Sequence, residues 1–171
     1  MSKKTILSRH WTGWNVNRKG TAVLVGHLQE PIETVKAEGS NRSLKIKREK
    51  FAKGLIGVSG DDDRYKKASG QKLEIVPESN VMKTRVGEEI TLEILLDGKP
   101  LKSQVYATYD GFSRRSMTFA YATENLDDSI SYVKVTSPGG VWMVRVEKRI
   151  ETNARDFDLL SLKATFVFSV Q

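Results

Sequence analysis

The chain contains no cysteine. Disulfide staples, thiol nucleophiles and thiolate metal sites are therefore excluded. Histidine is almost as scarce: His10 and His27 are the only two. Long apolar runs are missing as well. Purely apolar pieces are as short as Val23-Leu24-Val25, far below the roughly 18 residues that a membrane-spanning helix needs. No secretory leader is visible. Lys3 and Lys4 imitate a positive start, but Ile6-Leu7 gives way at once to Ser8, Arg9 and His10, so no apolar stretch follows. By itself the chain reads as cytoplasmic, or as one whose targeting segment is missing.

Catalytic signatures are absent too. Gly57-x-x-Gly60 is too short for a phosphate-cradling loop and lacks the Lys-Ser/Thr that should follow. Ser113 and Ser116 flank Arg114 and Arg115 with no elbow motif and no placed base, so they read as a loop. Asp127-Asp128 reads as a hairpin turn, and scattered carboxylates define no glycosidase pair. No catalytic residue is assigned, and a non-catalytic binding or accessory module is expected. A structural or adhesive module is the alternative, and a hydrolase with a loop-borne site a more remote one.

What is present is ordinary soluble-protein chemistry. The 171 residues are 39% hydrophobic and 29% charged, enough for one good core, or one domain with an added segment. The net charge of +7 is uneven. Residues 1–70 hold 15 Lys and Arg against 7 Asp and Glu, and residues 71–171 hold 13 against 14. This asymmetry divides the chain into a basic N-terminal segment, 1–70, read as an extension or the remnant of a preceding domain, and a nearly neutral domain, 71–171. A basic segment suits nucleic acid, an anionic membrane or an acidic partner. It is equally a solvated surface.

The rear domain has the clearest pattern. Leu73 to Val76 alternates and is stopped by Pro77, since proline cannot donate to a ladder. Ile90, Leu92 and Ile94 share one face, followed by the turn pair Asp97-Gly98. Further strands are expected at Val105–Tyr109, Met117–Ala122, Ile130–Val135, Val141–Glu147 and Ala164–Val170. Trp142, Val144 and Val146 should face inward. On the last strand, Phe166, Phe168 and Val170 are the better inward set. Seven short strands with turn signals between them predict an all-β fold: an antiparallel two-sheet β-sandwich, Ig-like or transthyretin-like, with an irregular or β-rich N-terminal extension. In that extension, Thr21–Val25 reads as a short strand. Residues 43–58 stay open: Leu44 and Ile46 alternate like a strand, whereas Phe51, Leu55 and Val58 fall at helical spacing.

Two clusters suggest binding chemistry. Neutral imidazole donates a lone pair to nickel, zinc or copper, and carboxylates can complete the shell. The candidate metal ligands are therefore His10, His27, Asp61, Asp62 and Asp63. The alternative is an acidic solvated turn with two structural histidines. Calcium is disfavoured, since the twelfth position counted from Asp61 is Lys72 rather than the required Glu. Trp11, Trp14, Tyr65 and Tyr109, with Arg9, Arg18 and Lys19, form the second set. They are a stacking surface for single strands or carbohydrate, or else core and interface aromatics. No nucleic-acid partner is expected.

Four stretches carry a family resemblance. They are Gly70-Gln-Lys-Leu-Glu-Ile-Val-Pro77, Leu95-Leu-Asp-Gly-Lys-Pro-Leu101, Val105-Tyr-Ala-Thr-Tyr-Asp-Gly111 and Ser137-Pro-Gly-Gly-Val-Trp-Met-Val-Arg-Val146. Together they resemble the DUF4198 family, bacterial periplasmic proteins associated with cobalt or nickel transport. The likeness spans about residues 43–171, with the family's leading part apparently missing. The resemblance implies a periplasmic location for the full-length protein. It also implies Ni²⁺ or Co²⁺ as the metal, bound weakly or not at all by this stretch alone, and a membrane metal-transporter complex as the partner.

Overall fold

A computed structural model describes residues 20–36, 39, 42–57, 62–115, 118–124, 130–137 and 140–170. Its strands are β1 (Thr21–Gln29), β2 (Glu33–Lys36), β3 (Ser43–Gly57), β4 (Leu73–Pro77), β5 (Glu89–Leu96) and β6 (Lys99–Pro100). They continue with β7 (Gln104–Tyr109), β8 (Tyr121–Glu124), β9 (Ile130–Lys134), β10 (Val141–Glu151) and β11 (Leu159–Ser169). Short 3₁₀ turns occupy Asp63–Lys66 and Val81–Lys83, and the described residues contain no α-helix.

The strands form two sheets. The larger runs β1-β3-β11-β10-β7-β8, with β2 also paired to β3. The smaller is built on β5, which pairs with β4, β6 and β9. The long strands β10 and β11 bury one face because side chains alternate with period two, whereas β4 is buried along its whole length. In β10 the buried face is Trp142, Val144 and Val146, and in β11 it is Leu162, Ala164, Phe166 and Phe168, with Val170 just beyond the strand. From the smaller sheet, Leu73, Ile75, Ile90, Leu92 and Ile94 meet them in one core. The molecule is thus a β-sandwich, and the inward faces expected for these strands are the observed ones.

Three expectations need correction. The first is that the sandwich is purely antiparallel. The smaller sheet is, but β11 runs parallel to β3, with Ala164 opposite Phe51 and Lys163 opposite Lys50. The second is the helical alternative for residues 43–58. Ser43–Gly57 is one strand of 15 residues. It buries Phe51 and Leu55, and also the charged Glu49 and Lys53, on its inner face. Tertiary pairing on both sides outweighs the apparent helical spacing. The third concerns strand limits. β8 begins at Tyr121 rather than Met117, a residue outside the described set, while β10 and β11 each run for 11 residues.

The boundary placed at 70/71 runs through the larger sheet. β11 lies between β3 and β10, so the last strand joins the front of the chain to its rear. Phe51, Leu55 and Tyr65 share one core cluster with Trp142 and Phe166. A buried ion pair adds a second tie: Lys53 on β3 reaches Glu74 on β4, Nζ to Oε1 2.7 Å. At Asp97-Gly98 both residues have positive φ, 50° and 74°. This is the tight hairpin geometry expected from that dipeptide.

Candidate anion-binding face

The outer face of the larger sheet follows from the same alternation. With Trp142, Val144 and Val146 inward, Arg145, Glu147 and Arg149 must point outward on β10. On β11 the outward set includes Ser161 and Lys163, and on β3 it includes Arg48 and Lys50. Strand register brings these into rows. Lys163 stands opposite Glu147 on one side and Lys50 on the other. Ser161 stands opposite Arg149 and Arg48 in the same way. A shallow depression of about 250 Å³ lies over them, lined by Arg48, Lys50, Arg145, Glu147, Arg149 and Lys163 among others.

Positive charge exceeds negative in this depression. Glu147 Oε1 serves two cations: it pairs with Arg145, and lies 3.2 Å from Lys163 Nζ. Lys50 is paired with Glu30 and Arg48 with Glu33, both acids reaching in from the sheet edge. Arg149 is exposed. Burial, followed by the positive fields of Arg145 and Lys50, holds the Lys163 ammonium below the ordinary lysine pKa. Like charges directly opposite on neighbouring strands are destabilising, and here Glu30 and Glu147 offset the Lys50–Lys163 juxtaposition. Toward β7 the depression is rimmed by aromatics. Tyr106 packs on Phe119 at 4.9 Å between centroids, and the Arg145 guanidinium lies 5.6 Å from the Phe119 centroid. Such a cation–π contact helps fix the guanidinium.

The described candidate metal ligands, His27, Asp62 and Asp63, lie elsewhere. His10 and Asp61 fall outside the described residues. His27 sits on β1, its ring stacked on Phe51 at 4.6 Å and its Nε2 3.2 Å from Glu49 Oε2. Glu49 also holds Lys47 at 2.9 Å. Asp62 lies at the other end of β1, where its carboxylate accepts from the Thr21 amide at 2.9 Å and from the Arg64 amide and Nε. Thr21 and His27 are six residues apart on one strand, about 20 Å by the strand rise. Asp63 is exposed in the 3₁₀ turn beside Asp62. His27, Asp62 and Asp63 therefore do not converge. Among the described residues no group of three or more His, Cys, Asp or Glu side chains could hold a metal ion.

The proposed aromatic surface is likewise divided. Trp11 and Trp14 are outside the described residues. Tyr65 is buried in the core, and Tyr109 packs against Trp142 at 5.0 Å between centroids. Tyr65 and Tyr109 serve packing.

Charge counting by halves hides the cationic face, because Arg145, Arg149 and Lys163 belong to the nearly neutral rear half. The local alternation of β10 carries the signal: each apolar residue of Trp142-x-Val144-x-Val146 is followed by a charged or sulfur-bearing one that must face out.

A family model described as a domain of unknown function, DUF4198, matches residues 4–150. No curated protein and no solved structure matches the chain. The matched span takes in β1 to β3 and most of β10 and stops before β11, whereas the sequence resemblance covers about residues 43–171.

Proposed function

The chain belongs to the DUF4198 family, and from that membership we propose that it is a non-catalytic, extracytoplasmic binding or accessory module whose working surface is the cationic outer face of the larger sheet. The observation that carries this reading is the packing of Arg48, Lys50, Arg145, Arg149 and Lys163 around one depression, with Lys50 and Lys163 in direct register. A face whose lining holds these five cations against the carboxylates of Glu49 and Glu147 is suited to an anionic ligand or an acidic partner surface. The two-sheet arrangement supports an Ig-like or transthyretin-like assignment for the sandwich.

The sequence resemblance to periplasmic proteins associated with cobalt or nickel transport gives the reading its specific form: an accessory component of metal uptake, working beside a membrane transporter complex. The cationic face repels bare Ni²⁺ or Co²⁺, so recognition of an anionic ligand or an acidic partner supports this role better than direct capture of the metal. The test is nickel and cobalt uptake in cells carrying the charge-reversed protein, Lys163→Glu with Arg149→Glu, together with fractionation of the full-length product. Reduced uptake from a normally exported, normally abundant variant is expected. Uptake equal to the parent's, or a product confined to the cytoplasm, contradicts the proposal. A structural or adhesive module is the second reading. It is favoured by Leu24, Val25 and Leu28, all more than half exposed on the edge strand β1.

A further inference from the structure

The cationic face is small, and its limits define what it can hold. It spans β10, β11 and β3, two inter-strand spacings or about 10 Å. Along β10 it runs from Arg145 to Arg149, about 13 Å. Among the described residues it does not continue as a stripe. On the β1 side the outer face turns apolar, with Leu28 directly opposite Lys50 and Leu24 opposite Gly54. On the β7 side it meets Tyr106 and Phe119. At one corner Glu30 and Glu33 close it off. A polymer such as a nucleic acid needs a basic track that follows its backbone, and this patch offers none. Its volume of about 250 Å³ lies just below the roughly 300–1,000 Å³ of small-molecule pockets, which limits it to a small ligand.

From these limits we infer that the outer face at β3, β11 and β10 binds a compact polyanion, a small molecule with two or more carboxylate or phosphate groups. The inference rests on the proposed reading of this face as the binding surface, and adds the ligand class. One anionic group sits between Lys163 and Lys50, sharing the two ammonium groups with Glu147 and Glu30. A second lies toward Arg149 and Arg48, with the Ser161 hydroxyl between them in register. Arg145 is 9% exposed, and its position against Glu147 and Phe119 gives the site a fixed wall. Guanidinium groups recognise planar oxyanions through paired hydrogen bonds, while the two ammonium groups act as point charges. No bond is made or broken.

The test is calorimetric titration with citrate and with inorganic pyrophosphate, and with heparin as the polymeric probe, followed by amide chemical-shift mapping. Saturable one-to-one binding of citrate or pyrophosphate is expected, with the largest shifts on β3, β11 and β10. Lys163→Ala should weaken it about tenfold, the usual loss for one charge-assisted hydrogen bond. Arg149→Ala, an exposed position, should weaken it in the same direction. Lys99→Ala, on the smaller sheet, should leave it unchanged. Citrate preferred over pyrophosphate identifies a carboxylate ligand, and the reverse a phosphate ligand. Binding that ignores Lys163→Ala and Arg149→Ala overturns the site. If heparin alone binds through this face, the compact-ligand inference falls while the face remains the binding surface. If none of the three shifts this face, both fall.

Discussion

Lys53 and Glu74 form an ion pair inside the sandwich, Nζ to Oε1 2.7 Å, with both side chains only 1% exposed. Each partner is hydrogen-bonded beyond the pair. Glu74 also accepts from the Ser69 amide and hydroxyl and from the amides of Gly70 and Gln71, and Lys53 donates a further bond to the Lys67 carbonyl. It thereby ties β3, the loop at 67–71 and β4 together. Breaking one partner strands a buried charge. Glu74→Leu or Lys53→Met alone should each destabilise by about 3–5 kcal/mol, and the double replacement by distinctly less than the sum. Urea unfolding of the four proteins in the cycle measures this. Additive losses would show that the two groups do not act as a pair.

Acid should loosen the same region. Burial alone would raise the Glu74 carboxyl, but the Lys53 ammonium and the Ser69 donors outweigh it and hold it below its ordinary value of 4.5. Asp62 is held down to about 2, first by the Thr21 amide and then by the Thr21 and Arg64 side chains. Both folded-state values lie below the unfolded ones. Their stabilisation is therefore complete above the unfolded values and is lost as pH falls through them toward the folded ones. Urea midpoints compared at about pH 6 and about pH 3 should fall for the parent. Glu74→Leu should show a smaller fall over the same interval, and an equal fall would assign the acid sensitivity elsewhere.

Trp142 is completely buried, at the centre of the larger sheet between Tyr109 and Phe168 in register. Trp142→Ala should cost about 3–5 kcal/mol, the usual range for truncating a core tryptophan. Chemical denaturation measures it, and a loss below about 1 kcal/mol would be too small for such a position.

Lys163 should show the opposite balance between stability and binding. Lys163→Thr removes the repulsion from Lys50 and leaves Arg145 as the partner of Glu147. It should raise stability by about 0.2–1 kcal/mol at low salt, with the gain shrinking as salt is added. Thermal melts at two ionic strengths measure this. A destabilised variant would make the lysine structural.

Metal binding by the described residues should be weak. Titration of Ni²⁺, Co²⁺ and Zn²⁺ should give dissociation constants no tighter than about 1 μM, because His27 and Asp62 sit at opposite ends of β1 and each already has its own partners. Tighter binding abolished by His27→Ala would contradict this and place a ligand on β1.

The amino-acid sequence by itself determined the alternation of the rear strands. Trp142, Val144 and Val146 announce an inward face, Asp97-Gly98 announces a hairpin, and Pro77 ends a strand, because each rests on local stereochemistry. It did not determine what lies beside a strand. Phe51, Leu55 and the buried pair partner Lys53 lie on a segment whose spacing suits helix as well as strand. Only pairing with β1 on one side and β11 on the other selects the strand. The parallel contact of β3 with β11 joins residues more than a hundred positions apart, and no local pattern encodes such a partner. The cationic face was hidden for the same reason. Its charges are divided between two halves of the chain that look basic and neutral when counted separately. Register across three strands places Lys50 against Lys163 and Arg48 near Arg149, and so turns scattered surface charges into one depression.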